Sequence, residues 1–211
     1  MIPELFLAFL LRGVYIEREY KGTSMDIPPL FEKILKEYYS AGPLQETLLT
    51  HSMQVWEKAE ALRKNLALPL TEEEVALGAL LHDIAIFQCH APDIHCFGKA
   101  HYLCHGILGG ELLREYGKKH GLDLEKYALI CEHHTGSGLT KEDILAQALP
   151  LPAKDLLPET LLEKLICYAD KFFSKSGSGG EKSLEKVRKS LARHGENSLA
   201  RFEKLHEIFS R

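Results

Sequence analysis

The run Ala79-Leu-Leu-His-Asp-Ile-Ala85 sets a histidine beside an aspartate inside an apolar stretch. A carboxylate buried without a partner is costly or takes up a proton, so Asp83 needs a partner that its neighbours do not supply. Similar residues interrupt other apolar stretches. His51 falls within the stripe Leu44, Leu48, Val55, Leu62 and Leu66, and His105 lies a helical step after His101. His134 shares a face with Tyr127 and Cys131, and Asp170 falls between Ile166 and Phe173 on the apolar face of its own segment. Taken singly, each reads best as a hydrogen-bonded core residue. Together, in a chain with eleven histidines among 211 residues, they ask for one explanation. Their faces converge, and imidazoles and carboxylates gathered in an apolar interior share divalent metal, which favours the neutral imidazole and the charged carboxylate alike.

The elements that must position these residues are helical. A first helix is expected from about Pro28 to Ser40, ending at Ala-Gly-Pro, and a second from about Leu44 carries His51. Thr71 followed by Glu74 is a capping box that opens the helix leading into His82-Asp83. The stretch from Ile86 to Ala100 breaks helical spacing with Pro92 and Gly98 and reads as a loop. Helix resumes from His101 to Tyr116 and again from about Asp123 to His134, where His-Thr-Gly-Ser-Gly stops it. A short helix follows Thr140, Pro158 opens a strongly amphipathic one through Asp170, and a basic amphipathic region closes the chain. The expected fold is an all-α, single-domain helical bundle. Residues 1–24 are an N-terminal extension, 25–175 the domain, 176–182 a Gly/Ser linker, and 183–211 a helical region packed on the same domain.

Composition narrows the partners. Lys plus Arg number 26 against 30 Asp plus Glu, a formal net charge of −4, so there is no broad basic field for nonspecific nucleic-acid binding. The terminal cluster Lys182, Lys186, Arg188, Lys189, Arg193 and Arg201 alternates with Glu181, Glu185, Glu196 and Glu203 and reads as a solvated face. Five cysteines without a Cys-x-x-Cys pair fit reduced thiols in a cytoplasmic protein. The apolar segment Leu5 to Leu11 is too short to span a bilayer and lacks the basic start of a signal peptide. No membrane is expected, and the oligomeric state is open.

The order of these residues resembles the HD superfamily of metal-dependent phosphohydrolases. The elements are His51, then His82-Asp83, His105 in His-Gly-Ile-Leu-Gly-Gly, His134 in His-His-Thr-Gly-Ser-Gly, and Asp170 in Tyr-Ala-Asp-Lys. They cover about residues 44 to 175. The resemblance implies that His51, His82, Asp83 and Asp170 hold one ion, and that Asp83 bridges to a second held by His105 and His134. In ligand pattern the chain is similar to small bacterial HD-type hydrolases that split diadenosine tetraphosphate symmetrically with a di-iron centre. It departs from relatives in carrying Ala85 where many have Gly, and in its long insert before His105. His133-His134 also resembles the HD-GYP phosphodiesterases, but their Gly-Tyr-Pro is absent.

The implied cofactor is one or two divalent transition metal ions, iron or manganese, with zinc, nickel or magnesium as alternatives. Such ions lower the pKa of water towards neutrality, so that hydroxide is available to attack phosphorus in line with the leaving oxygen. The expected partner is a small phosphorylated substrate, a nucleotide first. Asp83 and Lys171 are the candidate catalytic residues, Lys171 as a contact to a phosphate oxygen, against its plain reading as a solvated helix lysine. Asp93, His95 and Lys99 in the insert are candidate substrate or supporting contacts. His133 is another, although adjacent helical side chains diverge by about 100°. Cys89, His90, His95, Cys96, His101 and Cys104 lack the paired spacing of a zinc knuckle, and a folded loop over the site is the preferred reading. Two rival functions remain: an HD-type di-iron oxygenase, and a ligand-sensing module without catalysis.

Overall fold

Helix α3 (Glu72–Leu81) is the centre of the molecule, because every residue from Val75 to Leu81 is buried. A helix apolar on all sides needs neighbours on all sides, and in a computed structural model of the chain α3 meets four. These are α1 (Pro29–Tyr38), α2 (Pro43–Asn65), α5 (Glu125–His133) and α7 (Leu161–Asp170). Outside this layer lie α4 (His105–His120), packed on α5, the short α6 (Lys141–Ala146), and the pair α8 (Leu184–Ala192) and α9 (Glu196–Phe209). The structure describes residues 19–20, 23–24, 26–176 and 180–210. It is an all-α fold whose strands, among the described residues, form two two-stranded antiparallel hairpins.

The first hairpin, β1 (Glu19–Tyr20) with β2 (Thr23–Ser24), is the described part of the expected N-terminal extension; the rest of residues 1–24 lies outside the described residues, as do 177–179 of the expected linker. The second corrects the expected loop: β3 (His90–Ala91) pairs with β4 (Cys96–Phe97) around a 3-10 turn at Pro92–Ile94.

Capping residues set two helix starts later than the spacing predicts. α7 starts at Leu161, not Pro158, because Thr160 and Glu163 form a reciprocal capping box. His101 stands outside α4: its ring accepts from the Leu103 amide and caps a 3-10 turn, so the helix proper begins at His105. The expected closing basic region is two helices, broken at Gly195, where φ is +111°. Arg188 on α8 and Glu203 on α9 then pair at 2.7 and 2.8 Å.

Two contacts place the site. Gly106, Gly109 and Gly110 let α4 lie directly on α5, since a Cβ at Gly106 would overlap the Cys131 carbonyl and one at Gly109 would stand 3.0 Å from the Cys131 side chain. On the far face of α7, Tyr168 stacks on Phe202 of α9 with ring centroids 5.5 Å apart. Ser137, in the turn after His134, donates to the Ser198 carbonyl at 2.5 Å, so α9 also braces that turn.

Candidate metal centre

Most of the six residues sit at helix ends. His82 and Asp83 follow the last residue of α3, in a turn closed by the Ile84 amide on the Leu81 carbonyl and held by the Tyr39 hydroxyl, which donates to the Ile84 carbonyl at 2.8 Å. The helix stops just before the pair, which lets two adjacent side chains aim at one place although neighbours on a continuous helix diverge. His105 opens α4, His134 caps α5, and Asp170 closes α7. His51 alone lies mid-helix, on α2.

Helix termini also fix the imidazoles. His82 Nδ1 is 2.6 Å from the Ala79 carbonyl, His105 Nδ1 is 2.6 Å from that of Tyr102, and His134 Nδ1 is 2.7 Å from that of Cys131. Each bond runs to the residue three earlier, and for His82 and His134 the acceptor is one of the carbonyls a helix end leaves without a partner. A carbonyl only accepts, so Nδ1 carries a proton, and Nε2 faces inward, where it offers a lone pair once it gives up any proton of its own.

These Nε2 atoms meet carboxylate oxygens in two groups that share Asp83. Around its Oδ2 stand His82 Nε2 at 2.9 Å and His51 Nε2 at 3.2 Å, with Asp170 Oδ1 2.9 Å from His51 and 3.6 Å from His82. Around Oδ1 stand His105 Nε2 at 3.3 Å and His134 Nε2 at 3.4 Å, themselves 3.0 Å apart. All six residues are buried, and within each group the ligand atoms lie within 4.8 Å of one another. Their individual separations of 2.9–3.6 Å match donors placed about 2.0–2.2 Å from a shared ion. Acceptors aimed at one point repel unless a cation lies among them, so the donor set fits divalent metal, with Asp83 common to both groups. Lys175 at Asp83 and Lys171 at Asp170 balance part of this buried charge, and divalent ions would balance the rest.

Charge distinguishes the groups. Burial opposes charging His82, but Asp83 and Asp170 outweigh it and raise its pKa to about 9. Burial dominates at His105 and lowers it to about 3. Burial likewise works against the Asp83 carboxylate, yet His82 and Lys175 hold it well below the usual carboxylate range.

The other expected residues divide. Asp93 lines a cavity of about 360 Å³ that opens beside the centre, with His51, Tyr102, Asp170, Phe173 and Lys175 also in its wall. His95 and Lys99 are not in that wall; both are exposed, His95 in the hairpin turn with φ +63° and Lys99 just after the hairpin. His133 is turned away from both groups, its Nδ1 2.6 Å from Glu163 of α7. Lys171 is not a free phosphate contact: its ammonium is 2.6 Å from Asp170 Oδ2 and donates to the His134 carbonyl at 2.9 Å, tying a member of each group together. Among the described residues, no group with metal-ligand geometry falls on the Cys/His stretch before His105. Sequence reasoning missed Lys175, whose Nζ is 2.5 Å from Asp83 Oδ2, and Tyr102, stacked on His105. Tyr102 precedes His105 by one turn and was within reach of the spacing argument, whereas Lys175 lies beyond the end of α7, where helical periodicity carries no information.

Comparison with known proteins agrees with this geometry. The HD domain family matches residues 48–174, more than half of the chain, and the chain belongs to that family. Its HD domain places it in a metal-dependent, hydrolase-type family. The chain is 40% identical over 128 residues to an uncharacterized protein of Methanocaldococcus jannaschii, covering 59% of this chain and 65% of that one. It is 30% identical over 215 residues to a tRNA (cytidine(56)-2'-O)-methyltransferase of Picrophilus torridus, covering 98% of this chain and 57% of the relative. A protein of the same name from Thermoplasma volcanium is 29% identical over 193 residues, covering 90% and 49%. The chain thus spans about half to two thirds of the length of these relatives. No solved structure matches. No described helix is long and apolar enough to cross a membrane.

Proposed function

We propose that the protein is a metal-dependent phosphohydrolase acting on a small phosphorylated substrate, a nucleotide in the first instance. The observation that carries this reading is the sharing of Asp83, one oxygen towards His51 and His82 and the other towards His105 and His134. When bound, divalent ions at the two groups supply Lewis acidity and a hydroxide source at neutral pH. The residues do the rest. His51, His82, Asp83 and Asp170 hold the first ion, and His105, His134 and Asp83 the second. The carbonyl bonds to Nδ1 keep three of the imidazoles in the ligating tautomer. Lys171 keeps Asp170 and the turn after α5 in register. The cavity falls within the range of small-ligand sites of ~300–1,000 Å³. The methyltransferase activity named for two relatives belongs to longer proteins, and the reading offered here rests on this chain's own buried groups.

The experiment is a phosphate-release screen after anaerobic loading with Fe²⁺ or Mn²⁺, over mononucleotides, dinucleoside polyphosphates, cyclic dinucleotides and sugar phosphates, with His82→Ala as control. Metal-dependent release by the wild type and none by the variant is the expected result. Oxygen consumption without phosphate release would instead establish the di-iron oxygenase alternative. Ligand binding without turnover would establish a sensing module.

A further inference from the structure

We propose that Lys175 is an exchanging cation: it neutralises Asp83 when the first metal group holds no ion, and turns to the phosphate of the substrate once an ion takes over that carboxylate. The phosphate half of this proposal rests on the hydrolase reading above. The metal half does not.

One carboxylate oxygen has two claimants. Lys175 Nζ lies 2.5 Å from Asp83 Oδ2, the same atom that faces His82 and His51. An ion shared by His51, His82 and Asp170 must draw on that oxygen too, and ammonium and metal carry like charge, so the two compete for it. The side chain is nearly buried, with its ammonium held against Asp83. Released from Asp83, the ammonium can turn into the cavity: among the described residues Lys175 is the single lysine or arginine in its wall, between Ser174 and Ser176 and with the Tyr102 ring 5.9 Å from Nζ.

The neighbouring lysines show why the exchange falls to this one. Lys171 is committed to Asp170 and to the His134 carbonyl. Lys182 donates its ammonium to the Lys171 and Phe173 carbonyls and its amide to the Phe172 carbonyl, pinning the backbone that leads to Lys175. The main chain is therefore anchored while the four-carbon stem of Lys175 lets its head group move, and a compact ammonium with three donors suits a phosphoryl oxygen as well as a carboxylate.

The test uses the full chain, stripped of metal and titrated with Mn²⁺, and then the Mn²⁺-loaded protein titrated with inorganic phosphate, for the wild type, Lys175→Met and Lys175→Arg. Lys175→Met should bind its first Mn²⁺ about tenfold more tightly, because no resident cation has to leave, and should bind phosphate about tenfold more weakly when loaded. Lys175→Arg, which keeps the charge, should stay close to wild type in both titrations. Unchanged or weaker Mn²⁺ binding by Lys175→Met, unchanged phosphate binding, or an arginine variant that behaves like the methionine one would each overturn the proposal. Both shifts in a protein that releases phosphate from no substrate would support the exchange while overturning the hydrolase reading.

Discussion

The two ends of helix α3 are of opposite kinds. At its start, Thr71 Oγ1 accepts from the Glu74 amide at 3.2 Å while Glu74 reaches back to the Thr71 amide at 3.0 Å, and Lys126 adds an ion pair at 3.0 Å. Nearly everything this end needs lies within four residues of it. At its finish, His82 and Asp83 meet His51 from α2, His105 from α4, His134 from α5 and Lys175 from beyond α7, so the partners come from 22 to 92 residues away. A helix end satisfied locally is a structural device. One satisfied only by side chains gathered from the rest of the fold is where a site is built.

Substitutions at the two ends should separate them by size. Asp83→Ala removes the shared ligand of both groups and leaves the Lys175 ammonium buried without its partner. Loss of one member of a buried pair costs ~3–5 kcal/mol, so denaturant unfolding of metal-stripped protein should show that deficit, and metal content should fall at both groups. Gly106→Ala drives a methyl group into the Cys131 carbonyl and pushes α4 off α5. Overpacking of this kind costs ~1–3 kcal/mol, and titration with Mn²⁺ should show the His105–His134 group weakened before the His51–Asp170 group. Tyr39→Phe strips the Ile84 carbonyl of its donor, a loss of about 1–2 kcal/mol measurable by unfolding.

Glu74→Gln tests the other end and should have the smallest effect. The Thr71 amide first, then Lys126 and the Thr71 hydroxyl, lower the Glu74 pKa from 4.5 to about 2. A folded value below the unfolded one means that the ionised side chain stabilises fully above about pH 4.5, and that this contribution is lost as pH falls towards about 2. Wild type should therefore exceed Glu74→Gln by no more than ~1 kcal/mol at pH 7, and the gap should close on acidification. A gap that widened at low pH would contradict the assignment, as would any change in metal content at this end.

The same contrast explains what could be read from the sequence. The capping box at Thr71, the short helix after Thr140 and the helix stop near His134 were legible because their chemistry is local; Gly136 and Gly138 there adopt φ of +61° and +85°. Thr160 was equally local and was passed over in favour of Pro158. The six His and Asp residues were legible as misfits on apolar faces, and their order carried the family resemblance that implies the grouping. What spacing did not carry was direction. Lys171 looked like a substrate contact until its two partners were visible, and His133 could have faced either way before Glu163 took its ring. The insert hid its hairpin because two-residue strands have no period to detect. Lys175 hid because nothing about a lysine in a Ser-Lys-Ser turn says that it folds back onto a carboxylate 92 residues earlier.

The central claim is that Asp83 joins two ion sites, and metal stoichiometry tests it most directly. Wild type, His105→Ala and Asp83→Ala would be loaded anaerobically with Mn²⁺ or Fe²⁺, desalted, and analysed for metal per chain. The account predicts about two ions for wild type, about one for His105→Ala and close to none for Asp83→Ala. Wild type that holds no ion, or an Asp83→Ala variant that loads as fully as wild type, would contradict it.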